Sequence, residues 1–77
     1  MADKLKYAVI LVYSISHAIR IEMALKKEGI EAKLIPTPRQ FSSDCGSAVR
    51  IAAADRPLCE RVIAGINMQY QDILDLE

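Results

Sequence analysis

The residues best suited to chemistry lie together in the middle of the chain. The stretch Ile35-Pro36-Thr37-Pro38-Arg39-Gln40-Phe41-Ser42-Ser43-Asp44-Cys45-Gly46-Ser47 holds a thiol, a guanidinium and a glycine, and it is the one long segment without strand or helix periodicity. A thiol reacts as thiolate, and thiolate forms more readily beside a cation or a helix N-terminus. Arg39 offers a planar fork of donors that could hold an anion or steady a Cys45 thiolate. Gly46, lacking a side chain, lets a reagent or partner come close. The plainer readings stand beside these. Cys45 could be a loop cysteine packed on Phe41, and Arg39 a surface arginine paired with Asp44.

Three more residues belong to the same discussion. His17 could act as a base towards Cys45 and make a Cys/His pair; it could equally be a half-buried polar residue at a helix edge. Ser14 and Ser16 are capping residues first. With free backbone N–H groups they could also bind a small anion. Cys59 falls within an apolar helical stripe and reads as core. The Cys45–Cys59 spacing fits neither a C-x-x-C redox pair nor a zinc site. There is no phosphate-binding glycine fingerprint and no pair of carboxylates placed for acid–base work. No metal or cofactor is expected. A stand-alone thiol enzyme ranks last, because only His17 could serve as base and no third residue orients it.

Elements of regular periodicity must position these groups. Tyr7 to Tyr13 is a continuous apolar, β-rich run, which predicts a central strand apolar on both faces. Ser16 then caps a helix over about His17 to Glu28. On that helix His17, Ala18, Ile21, Ala24 and Leu25 share one side. Glu22 and Lys26 are spaced for an i,i+4 pair, Gly29 suits the C′ position, and Ile19 and Met23 land on the outer face. Glu31 to Ile35 alternates as a half-buried strand does. Pro36 and Pro38 make the chain leave that strand stiffly. Ala48 to Ala53 reads as a third strand with Val49, Ile51 and Ala53 on one face. Asp55 caps a second helix with Pro57 in its first turn and an apolar side of Leu58, Cys59, Val62, Ile63 and Ile66. Gly65 and Asn67 mark its end. Tyr70 to Leu76 is a weaker fourth strand.

The order β-α-β-β-α-β predicts an α+β fold, a ferredoxin-like two-layer sandwich with two helices on one face of an antiparallel sheet. In that topology the first two strands both end at the edge where the first helix begins. Cys45, Arg39, Ser14, Ser16 and His17 should therefore share one rim, with Cys59 near the opposite one. The two-faced first strand also predicts that another chain or domain covers the open side of the sheet.

With 77 residues, the chain is one domain, 1–77, with a modest core. It is 52% hydrophobic, with a mean hydropathy of +0.14, high enough at this length to point to a partner surface or self-association. Ten basic residues balance ten acidic ones, which argues against a nucleic-acid binder and against a polybasic membrane anchor. The longest apolar run is too short to span a bilayer. Met1-Ala2-Asp3-Lys4 lacks the apolar core of a signal peptide, and two cysteines make no disulfide framework. A cytoplasmic, reducing setting is expected.

Three blocks then carry a resemblance: Ser14 to Glu22 (Ser-Ile-Ser-His-Ala-Ile-Arg-Ile-Glu), Leu34-Ile35-Pro36-Thr37-Pro38-Arg39, and Ser42-Ser43-Asp44-Cys45-Gly46. Together they resemble a family of small bacterial domains described as putative Se/S carrier protein-like, from about Tyr7 to the fourth strand. The resemblance implies that Cys45 carries sulfur or selenium as a persulfide or selenosulfide, with Arg39 beside it. It implies partners of the sulfur- or selenium-transfer kind, such as a cysteine desulfurase or a sulfur-carrier domain. Glu22 matches the family's helix-one glutamate, which implies a role at the rim or an interface. The alternative is an interaction or regulatory module whose 36–47 loop binds a partner or small anion, with Cys45 structural or redox-sensing.

Overall fold

The computed structural model describes residues 6–41 and 46–76. Four strands, β1 (Tyr7–Leu11), β2 (Ala32–Pro36), β3 (Ser47–Ala52) and β4 (Asp72–Leu76), and two helices, α1 (Ile15–Lys27) and α2 (Arg56–Gly65), follow in the order β1-α1-β2-β3-α2-β4. A single 3₁₀ turn, Ala53–Asp55, leads into α2. The sheet order is β2-β3-β1-β4, and every neighbouring pair is antiparallel. This is the expected α+β, ferredoxin-like two-layer sandwich.

Helix α1 shows how local chemistry sets its ends. Ser14 is its N-cap, in extended backbone (φ −154°), and its hydroxyl accepts from the His17 N–H at 3.4 Å. The expected cap was Ser16 and the expected start His17. Both serines can cap, but the cap residue must lie outside helical backbone, and Ser16 is already in the first turn. At the other end Glu28 is the C-cap. Gly29 follows at φ +80°, a left-handed conformation that suits glycine. The N–H of Ile30 reaches the Leu25 carbonyl at 2.9 Å and that of Gly29 reaches Lys26 at 3.0 Å. Those two bonds make a Schellman motif, with buried Ile30 as its usual apolar contact. Ala18, Ile21 and Leu25 are the buried line of α1, as the helical spacing predicts.

Helix α2 buries a narrower stripe than expected. Cys59 and Ile63 are buried and Val62 packs against the core, but Leu58 and Ile66 are exposed. Leu58 lies at the margin of the stripe, and Ile66 is the C-cap, past the last full turn. Asp55 occupies the N-cap position without a side-chain capping bond. Its backbone (φ −90°, ψ 1°) already belongs to the 3₁₀ turn and is not the extended form that aims a cap. Arg56 ties this helix to the edge strand, donating to the Ile73 carbonyl at 2.9 Å and standing 3.5 Å from Asp75.

The core between helices and sheet joins Ala8, Ile10, Val49, Ile51 and Ile73 to Ile21, Leu25, Cys59 and Ile63. Each fully buried Ile or Leu contributes about 1.5–3 kcal/mol. The other face of the sheet holds a second cluster of Val9, Leu11 and Ala48, with Ile35, Phe41, Leu74 and Leu76 packed against it. The sequence predicts that another chain or domain covers this face; the single chain already covers part of it. Val9 and Leu11 are already buried by the chain's own side chains. Farther along the same face the Arg50 guanidinium lies 4.3 Å over the Tyr7 ring, a cation–π contact.

Candidate functional site at the β2–β3 rim

The register brings the end of β1, the end of β2 and the starts of β3 and β4 to one edge. Leu11 is opposite both Ala48 and Asp72, and Pro36 is opposite Ser47. Helix α1 begins a few residues after β1 ends. Arg39, Gly46, Ser14, Ser16 and His17 therefore belong to a single rim. Cys45, with Ser42 to Asp44, lies outside the described residues; its two flanking anchors, Phe41 and Gly46, do not.

Those anchors explain how the loop is held. The Thr37 N–H donates to the Gly46 carbonyl at 2.9 Å, which closes the neck. The Phe41 N–H donates to the Pro38 carbonyl at 3.0 Å, a four-residue turn over Arg39 and Gln40. The turn lays Phe41 against the open sheet face. Arg39 is exposed at the turn. A Cβ added at Gly46 would meet nothing within 4 Å, so one side of the neck is open. Sequence reasoning noticed Phe41 only as a neighbour for Cys45. Its value as an anchor depends on Val9 and Leu11, which are remote in sequence.

At the start of α1 the three predicted residues do meet. Ser14 Oγ is 3.0 Å from Ser16 Oγ and 3.1 Å from His17 Nδ1, while it accepts the His17 backbone N–H. Ser14 thus occupies the histidine's Nδ1, leaving Nε2 as the nitrogen for any further partner. Glu22 is not at the rim. It sits about 10 Å along the helix from Ile15, at 1.5 Å per residue. There its carboxylate meets Lys26 at 3.2 Å, with the Glu22 side chain 18% exposed.

Cys59 is fully buried. Burial pushes its thiol up from 9.0 to about 11, and the carboxylates of Asp55 and Glu60 add to the rise. A surface hollow of about 250 Å³ bordered by Lys6, Tyr7, Ala53, Asp75 and Leu76 stands at the opposite edge of the sheet. Among the described residues no three His, Cys, Asp or Glu side chains gather as a metal site, and no helix is long and apolar enough to cross a membrane.

Fold and rim together define a small α+β sandwich that presents a tethered loop at one edge. The chain belongs to the family described as putative Se/S carrier protein-like, whose model matches residues 6–75. No curated protein and no solved structure matches it.

Proposed function

We propose that this protein carries sulfur or selenium on Cys45, as a persulfide or selenosulfide, and hands it to a partner protein. The observation that carries the reading is the fate of the other thiol. The chain has two cysteines, and Cys59 is buried with its thiol held protonated to about pH 11. Thiol exchange needs an accessible thiolate, so the carrier role falls to Cys45. The family description agrees with it.

In loading, the Cys45 thiolate attacks the outer sulfur of a donor persulfide. The new S–S bond forms as the donor's S–S bond breaks, and the donor thiolate leaves with the electron pair. Unloading repeats the step with the acceptor's thiolate as nucleophile and Cys45 as leaving group. Neither step needs an external oxidant or reductant. Arg39, exposed on the turn, is the cation on the loop that would steady the thiolate, and the open side of Gly46 admits the donor. His17 Nε2 is the base available along the same rim.

The test is the pH dependence of Cys45 alkylation, followed by peptide mass spectrometry with Cys59 as internal control. A midpoint well below the ~8.5 of a free thiol, with Cys59 protected, supports the carrier. A midpoint at or above that value removes the activated thiol and leaves a binding module. Exposed Arg39 favours that second reading, in which a Cys45→Ser variant would keep its partner.

A further inference from the structure

The outer face of α1 carries more exposed apolar surface than a solvated helix needs. Ile15, Ile19 and Met23 are spaced i, i+4, i+8, so they form one stripe along the helix. They are 46%, 41% and 63% exposed, and Tyr13, just ahead of the cap, is 48% exposed. At about 3.6 residues per turn the stripe is turned about 130° around the helix from the buried line of Ala18, Ile21 and Leu25. It begins at the rim where β2 and β3 enter the loop and runs away from it. Isolated exposed apolar residues are ordinary; an aligned, contiguous set marks a contact surface.

The charges beside the stripe indicate what it meets. Arg20 and Lys27 border it, both exposed, and neither meets a carboxylate among the described residues. Lys26 is engaged by Glu22. The apolar stripe therefore has unanswered positive charge along one side and the Glu22–Lys26 pair along the other, the complement of an apolar spot with carboxylates along one edge.

We propose that the outer face of α1 docks a persulfide-donating protein through an apolar patch with an acidic edge, its contact centred on Ile19 and Met23 and oriented by Arg20 and Lys27. This rests on the carrier reading. The face starts at the loop's own edge, so a donor seated there brings its persulfide to the rim. The exchange is the balanced one above: the donor loses its outer sulfur and leaves as thiolate.

The experiment compares two sulfur sources on the full chain: a cysteine desulfurase charged with L-cysteine, and inorganic polysulfide. Persulfide on Cys45 is read by mass spectrometry in the wild type, in Ile19→Asp/Met23→Asp and in Arg20→Glu/Lys27→Glu. Leu58→Asp, on the exposed margin of α2, is the control. The enzyme-driven rate should fall about tenfold or more in the apolar variant, the effect of losing about 1.4 kcal/mol of contact. In the charge-reversed variant it should fall and lose its salt dependence. Polysulfide loading should be unchanged in all four proteins. Equal enzyme-driven rates in wild type and Ile19→Asp/Met23→Asp overturn the docking face. So does a desulfurase that fails to load a wild type that polysulfide loads, or a wild-type dimer by sedimentation that the apolar variant splits. If Cys45 takes sulfur from neither source, the carrier reading itself fails.

Discussion

The backbone N–H of Thr37 donates to the carbonyl of Gly46 across 2.9 Å, one step beyond the last strand pair, Pro36 with Ser47. The loop thus leaves and re-enters the sheet at a closed neck. Phe41, turned back by the Pro38 carbonyl, pins its first half to the sheet face that holds Val9 and Leu11. Both ends of the loop are therefore held to the sheet.

Replacing Phe41 should therefore loosen the loop and cost stability together. Phe41→Ala is expected to lose about 1–3 kcal/mol, below the 3–5 of a fully buried phenylalanine because this ring is half-buried. Phe41→Leu should recover most of that. Urea unfolding measures both, and a loss under about 0.5 kcal/mol for the alanine variant would show that the ring anchors nothing.

Ser14 and Ser16 should separate cleanly. Ser14 caps the helix and engages His17, so Ser14→Ala should cost about 0.5–2 kcal/mol. Ser16→Ala, in the first turn, should lie within about 0.5 kcal/mol of wild type. Equal losses in thermal unfolding would contradict the assigned cap.

The raised thiol of Cys59 predicts an alkaline decline. Its folded value, about 11, lies above the ordinary 9.0, so between those values the native state holds a proton that the unfolded chain releases. Stability from this group is complete below about pH 9 and is lost as pH rises towards 11. The loss is of order 2–3 kcal/mol, at about 1.4 kcal/mol per pH unit. Chemical denaturation at several pH values, in a Cys45→Ser background, should show it. Adding Cys59→Ala should flatten the slope; an unchanged slope would assign the decline to other groups.

Much of this was legible from local rules. The alternation of apolar runs predicted β-α-β-β-α-β, because strand and helix periods differ and each run here has a definite length. Gly29 read correctly because only a left-handed C′ residue suits that chain reversal. Ile19 and Met23 read correctly as outward because helical spacing alone decides a face. The failures share a cause. Choosing Ser14 over Ser16 depends on where extended backbone stops, and both residues have the right hydroxyl. Leu58 and Ile66 lie outside the core because of how far the packed helix overlaps the sheet, which periodicity does not encode. Val9 and Leu11 are covered by Ile35, Phe41, Leu74 and Leu76, contacts between residues distant in sequence. For the site, the topology brings Arg39, Gly46, Ser14, Ser16 and His17 to one edge, whereas Glu22 stands farther along its helix.

Strand β1 is made before the other three strands of the sheet, yet it lies in the middle, hydrogen-bonded to β3 on one side and β4 on the other. Tyr7 is opposite Leu76, so its last partner is made last. At ~5–20 residues per second, an apolar strand with an unpaired edge waits several seconds on the ribosome before β4 emerges. An unpaired apolar edge is a template for other chains. The domain's greatest exposure to strand-to-strand association therefore falls during translation, before the finished fold exists.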